Sequence, residues 1–266
     1  MRSALVGALF ALATVAVSQE DGAQQVLETY NLDDYECEHT GYQISILSYD
    51  PAIIYIENFV TPFERQHLLR ATNGTFARSN VAGAEGDIVS NARTSSSTTV
   101  PSDAVAACIA ERARQFQGLH MPVTHIEPIQ LVRYNVGEQY HFHTDWFNKE
   151  ATKPGGHADV GRGGNRVSSI FAYVSVSDDI VGGGTSFPKI KPPGGDGWCR
   201  FIECDNDYDA GVTFRAIEGN AVFWSNLRHD PAGQTIGDVR VLHAGLPVIQ
   251  GQKVGMNIWT KEGHFN

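Results

Sequence analysis

The sequence predicts an α+β chain that is mainly β, a jelly-roll-like core supported by two N-terminal helices. Three observations carry this. From Ile129 onward, short apolar runs recur between Gly- and Pro-rich turns, at the spacing of a β-sandwich or barrel. Before that point lie two segments with helix start signals and apolar residues at helical spacing. No internal repeat divides the 266 residues, and one β-rich domain of this length is ordinary.

Taken in order, residues 1–18 open with Arg2, continue as an apolar run from Ala4 to Val17, and carry small residues at Ala16 and Ser18. That pattern reads as a signal peptide cut near Ser18/Gln19. The alternative, a membrane anchor, needs roughly 20 apolar residues. Residues 19–41 form a polar leader, and 42–266 are read as one domain. Gln43–Ser48 and Ile53–Ile56 read as Ile-rich strands. Thr61-Pro62-Phe63-Glu64 starts a helix, with Pro at the first helical position and Glu at the capping-box position, running to about Thr72. Ser102 is read as the cap of a second helix, in which Val105, Ile109, Ala113 and Phe116 recur at helical spacing up to Gly118. Between the helices, Arg78–Thr99 is polar and reads as a long loop. The strand candidates after it are Ile129–Tyr134, Tyr140–Asp145, Val167–Val176, Val212–Ala216, Ala221–Trp224, Val239–His243 and Val254–Trp259.

Composition narrows the partners. Lys plus Arg number 20 against 30 for Asp plus Glu, a net charge of −10. This opposes a nucleic-acid footprint and adhesion to an anionic membrane surface. The four cysteines, Cys37, Cys108, Cys199 and Cys204, are even in number. Behind a signal peptide they would enter an oxidising compartment, the secretory-pathway lumen (endoplasmic reticulum) or the exterior, where two disulfides are expected. Of three possible pairings, Cys37–Cys108 with Cys199–Cys204 joins the two that lie close in sequence. Asn73-Gly74-Thr75 is a glycosylation sequon for the same compartment.

The chemistry-bearing stretch is Tyr134-Asn-Val-Gly-Glu-Gln-Tyr140-His-Phe-His143-Thr-Asp145. Residues two apart on a strand share a face, so His143 and Asp145 can hold one ion, with His141 as a competing ligand. A second histidine, His243, could complete a two-His, one-carboxylate set that leaves positions open. Taken alone, HxD is equally a pair of solvated strand residues. Lys253 lies ten residues after His243. Facing inward it would need an anion; the alternative is an exposed edge-strand lysine.

HxD, a distant His and a Lys ten residues later resemble the Fe(II)/2-oxoglutarate dioxygenases, and among them the short, single-domain prolyl 4-hydroxylases. The segment Leu131–Tyr140 is similar to the family's approach to HxD, as is Gly163-Gly-Asn-Arg166-Val to its next turn and strand. Gly182-Gly-Gly-Thr185-Ser-Phe-Pro188, Gly219–Asn226, Gly237–His243 and Asn257-Ile-Trp259 follow in the family's order. The resemblance covers about Ile129–Trp259 and is weaker over Tyr42–Gly118.

That resemblance implies a double-stranded β-helix (jelly-roll) fold, with Fe(II) bound by His143, Asp145 and His243. It implies that Lys253 pairs with the distal carboxylate of 2-oxoglutarate, and that Tyr134 and Thr185 donate hydrogen bonds to the same cosubstrate. The alternatives are a core aromatic for Tyr134 and a turn residue for Thr185. Tyr140, Arg166 and Trp259 would lie on the substrate side; Arg166 contacts the peptide backbone or forms a surface ion pair. Arg93 belongs to Arg78–Thr99, which resembles a mobile loop folding over peptide. The implied reaction consumes O2 and 2-oxoglutarate, with L-ascorbate expected from the family, and hydroxylates C4 of proline in a peptide or protein. The insertion between Pro188 and Phe214 would become a rigid loop if Cys199–Cys204 closes, with Trp198 facing a proline; it is otherwise an inert surface loop. Two further readings stand beside this one: a 2-oxoglutarate oxygenase acting on free proline or another non-peptide substrate, and a non-catalytic jelly-roll whose metal is structural.

Overall fold

In the computed structural model, residues 32, 35–38, 41–83, 86–118, 120–148, 151, 153, 156–205 and 210–265 are described. The signal peptide expected over 1–18 and most of the 19–41 leader lie outside them. The chain is mostly β. Its elements in order are β1 (Gln43–Tyr49), β2 (Ala52–Glu57), α1 (Pro62–Ala71), β3 (Ala77–Arg78), β4 (Asn80–Gly83), β5 (Gly86–Val89), β6 (Ser96–Thr99) and α2 (Ala104–Gln117). There follow β7 (Gln130–Tyr134), β8 (Tyr140–His143), β9 (Arg166–Val176), β10 (Val181–Gly182), β11 (Thr185–Phe187) and β12 (Val212–Phe214). The last are β13 (Ala221–Ser225), β14 (Leu227–His229), β15 (Thr235–Gly237), β16 (His243–Gly245), β17 (Val248–Gln250) and β18 (Lys253–Lys261).

Two antiparallel sheets form the core. The larger runs β1-β2-β13-β9-β18-β7-β6-β3, and the smaller β12-β11-β16-β8. Tyr55, Phe171, Tyr173, Val222 and Trp224 of the larger sheet are buried against Phe187, Val212 and Phe214 of the smaller. Each such side chain contributes roughly 1.5–3 kcal/mol of burial. Sequence-distant strands become neighbours in both sheets, giving the expected jelly-roll.

Both helices cover the outer face of the larger sheet. In α1 the Thr61 side chain accepts from the Glu64 backbone N–H while Glu64 accepts from Thr61 N–H, the complete capping box. The α2 cap is Asp103, not Ser102: its carboxylate accepts from Ala106 N–H at 2.9 Å and its other oxygen meets His67 Nε2 at 2.7 Å. Phe116 packs edge-on against Phe223 of β13, and Gln117 Nε2 donates to Thr260 of β18. Arg112, wholly buried, forks onto Glu64 at 2.6 and 2.8 Å and also donates to the Phe59 and Glu38 carbonyls. Cys37–Cys108 ties the segment before β1 to α2, and Cys199–Cys204 closes the loop after β11.

Two further expectations are corrected. Arg78–Thr99 is not a structureless loop: β4 and β5 form a hairpin, and β6 pairs with β3 and β7. These strands were unreadable because they are short and mostly polar. Val239–Val241 is a 3-10 turn, held by Asp238 accepting from Arg240 N–H, and the strand begins at His243. Trp198 packs edge-on against Phe201 and the core, and no described residue of the insertion lines the cavities below.

Candidate active site

The site is assembled by register. His243 of β16 stands opposite His143 of β8, and Asp145 follows two residues beyond. His143 Nε2 lies 3.7 Å from Asp145 Oδ1, and His243 Nε2 lies 3.8 Å from Asp145 Oδ2. The three ligand atoms sit within 4.8 Å of one another. His143 Nδ1 donates to the His141 carbonyl at 2.7 Å and His243 Nδ1 to the Val241 carbonyl at 3.0 Å. With Nδ1 protonated, each Nε2 lone pair is free to bind a metal. His141, the competing ligand, is exposed and outside the cluster.

Electrostatics favour the ligating forms. Burial, reinforced by neighbouring His243, pushes the His143 imidazole down to about 3, so it is neutral at pH 7. Burial alone would raise the Asp145 carboxyl, but His243, His143, Arg166 and the Ser169 hydroxyl outweigh it and hold the group below its ordinary value. Two imidazole nitrogens and one carboxylate suit a divalent iron and leave coordination positions unfilled by protein.

Lys253 opens β18, opposite Tyr134 of β7 and Val176 of β9. Only 1% of it is exposed, and it has no carboxylate within ion-pair distance among the described residues. Its ammonium donates to the Gly183 carbonyl and faces the Tyr134 ring 4.6 Å from the centroid. Gly183 presents that carbonyl from a left-handed conformation, φ 69°. Burial lowers the Lys253 amine to about 7. A buried cation without a counter-ion fits an anionic ligand, so these residues suit 2-oxoglutarate as well as iron.

A small cavity of about 30 Å³ lies over the cluster, lined by Tyr134, Thr185, Phe171, Trp224, Asn257 and Trp259 among others. Phe171 reaches it because β18 has Gly255 beneath the ring; a Cβ there would meet Phe171 Cζ at 2.1 Å. The Thr185 hydroxyl is hydrogen-bonded to Tyr173 Oη at 2.8 Å. Tyr140 stacks on His143, ring centroids 3.5 Å apart. Outside lies a cavity of about 500 Å³ whose wall includes Arg93, Tyr140, Arg166 and Trp259. Arg166 forks onto Glu127 at 2.6 and 2.8 Å and lies 3.7 Å over the Trp259 ring. Arg93 lies 4.8 Å over the Tyr140 ring.

Thus the metal-ligand candidates meet in one cluster, Tyr134 and Thr185 line the inner cavity, and the substrate-side candidates line the outer one. Lys253 stands behind Tyr134. Sequence reasoning missed Glu127, Ser169, Phe171, Trp224 and Asn226. The usable signal for Ser169 was its two-residue alternation with Phe171 and Tyr173 along β9.

A jelly-roll carrying two histidines on paired strands and an aspartate just past one of them, beside a buried lysine, defines a mononuclear non-haem iron type of site. A model of the 2OG-Fe(II) oxygenase superfamily matches residues 129–261. The chain belongs to that superfamily, whose members are oxidoreductases using Fe(II), 2-oxoglutarate and O2. It is 28% identical over 234 residues to Prolyl 4-hydroxylase 2 of Arabidopsis thaliana, spanning 84% of this chain and 72% of that protein. It is also 28% identical over 222 residues to Prolyl 4-hydroxylase 5 of the same plant, spanning 81% and 70%. A solved viral collagen prolyl hydroxylase from Paramecium Bursaria Chlorella virus-1, in complex with 2OG, shares the fold: TM-score 0.51, 21% identity, 84% of this chain and 97% of that one. Among the described residues no helix is long and apolar enough to cross a membrane.

Proposed function

We propose that this chain hydroxylates peptidyl proline at C4, coupling O2 to the oxidative decarboxylation of 2-oxoglutarate. The observation that carries the reading is buried Lys253, a cation lacking a carboxylate partner among the described residues, behind the His143–Asp145–His243 cluster. A structural metal site would need no such anion pocket.

Bound at His143, Asp145 and His243, Fe(II) would supply the coupling chemistry: one atom of O2 passes to succinate, released with CO2, and the other enters the proline C4–H bond. Lys253 holds the distal carboxylate of 2-oxoglutarate by charge, and Tyr134 and Thr185 orient the cosubstrate by hydrogen bonds. Phe171 and Trp224 keep the inner cavity apolar. Tyr140, Arg93, Arg166 and Trp259 position the peptide in the outer cavity, so that one C–H bond is held near the metal and others are kept away.

The disulfides support life in the secretory pathway, with 1–18 as signal peptide, 42–266 as the catalytic domain and Asn73, which is exposed, as a glycan acceptor. L-ascorbate is the reductant of choice for sustained turnover. The test incubates the protein with Fe(II), 2-oxoglutarate, ascorbate and either a collagen-like or a polyproline peptide. A 16-dalton gain on proline, lost in His143→Ala, is expected. Succinate without that gain would redirect the search to non-peptide substrates, and neither product in an iron-loaded protein would leave a binding module.

A further inference from the structure

Resting on the prolyl-peptide reading above, we propose that the substrate carries acidic residues on one flank of the target proline and apolar residues on the other. Two cavities open onto the metal cluster. The one of about 500 Å³ reaches Asp145 and is walled by Arg78, Arg93, Arg162 and Arg166. The second, about 540 Å³, reaches His143 and is walled on its own side by Ala92, Phe142, Trp146 and Ala151. They adjoin along Val81, Tyr140, Thr144, Phe147 and His157. A proline-rich peptide advances about 3.1 Å per residue, so a few residues on either side of the target would occupy one cavity each.

The first wall is unbalanced in charge. Its only carboxylates among the described residues are Glu127 and Asp145. Glu127 is taken by Arg166, and Asp145 belongs to the metal cluster. Lys261 spends its ammonium on the His157, Arg162 and Gly164 carbonyls. Among the residues whose side chains are described, which leaves out 82–87, Arg78, Arg93 and Arg162 have no carboxylate within 4 Å. Arg93 is only 6% exposed, yet its guanidinium bonds neutral acceptors alone: Ser95 Oγ, the Asn80 carbonyl and Gln130 Oε1. Arginine buried to that degree is ordinarily ion-paired. In a chain of net charge −10, this wall makes a local field of opposite sign, suited to carboxylates. By contrast, no described Asp, Glu, Lys or Arg lines the second cavity, and Phe142 there is 51% exposed.

The test uses four peptides with one target proline: acidic before and apolar after it, the mirror order, neutral on both sides, and basic on both sides. Turnover is read as the 16-dalton gain with Fe(II) and 2-oxoglutarate, and affinity by fluorescence anisotropy with Mn(II) in place of iron. One acidic–apolar order should exceed the neutral peptide by about fivefold in kcat/KM and in affinity, with the basic peptide weakest. That advantage should shrink toward one in 0.5 M salt and in the Arg78→Gln/Arg162→Gln variant. Equal handling of all four peptides, or a preference for the basic one, overturns the inference and leaves prolyl hydroxylation standing. If no peptide gains mass, the prolyl reading falls; acid-selective, salt-sensitive anisotropy then still upholds the charged groove, and unselective binding overturns it too.

Discussion

Ser169 Oγ donates a 2.6 Å hydrogen bond to Asp145 Oδ2, and Asn226 Nδ2 donates to Ser169 Oγ at 2.9 Å. Ser169 and Asn226 are fully buried. The relay fixes the rotation of a carboxylate whose two oxygens face the two imidazoles. Ser169→Ala should lower Mn(II) or Co(II) affinity about 10–100-fold, as loss of such a supporting bond commonly does, and Ser169→Thr should restore it. Calorimetric titration of the apo protein checks this; an alanine variant with unaltered metal affinity would refute the role.

Lys253→Met should move stability and ligand affinity in opposite directions. Removing a buried cation without a carboxylate partner relieves a desolvation penalty, so Tm rises by about 2–4 °C for each kcal/mol recovered. The same change removes the counter-charge proposed for 2-oxoglutarate, and its affinity should fall at least about 100-fold. Scanning calorimetry and 2-oxoglutarate titration on one preparation measure both.

The pH dependence follows from the same amine. Its value is about 7 in the folded protein against 10.5 in the unfolded chain. Between these values the unfolded chain holds a proton that the folded one has shed, so this group makes stability rise with pH across that window, and its penalty is complete below 7. A bound carboxylate restores the ammonium. Binding of 2-oxoglutarate should therefore take up a proton above pH 7, and affinity should weaken by up to about tenfold per pH unit there. Calorimetry in buffers of different ionisation enthalpy reads the proton directly.

Arg112→Ala should be strongly destabilising. It leaves the Glu64 carboxylate buried and deprives the Phe59 and Glu38 carbonyls of a donor, at a cost of about 3–5 kcal/mol. Urea denaturation of the disulfide-intact protein is the measurement. A loss under 1 kcal/mol would contradict it.

What could be read in the sequence is what is encoded locally. The Thr61–Glu64 box marks its helix within four residues, and the alternation of His143 and Asp145 puts both on one face without knowledge of the partner strand. Ser102 and Asp103 are both able caps, so the choice between them waits on Asp103 also reaching His67. The Ser169 relay was illegible because its members come from three separate stretches. Similarly, Trp259 and Asn257 reach the site through pairing with Ser169 and Phe171 across β18 and β9, a register that no local pattern specifies.

That pairing has a consequence for biosynthesis. Strand β18, the last one described, sits between β9 and β7 in the interior of the eight-stranded sheet. While residues 253–261 are still inside the ribosome, β7 and β9 cannot be joined and Lys253 is not yet in place. A nascent chain therefore carries His143, Asp145 and His243 before it carries a finished pocket. Assembly of the sheet therefore waits on residues 253–261, and cutting the chain at Gly251 should remove the fold together with the site.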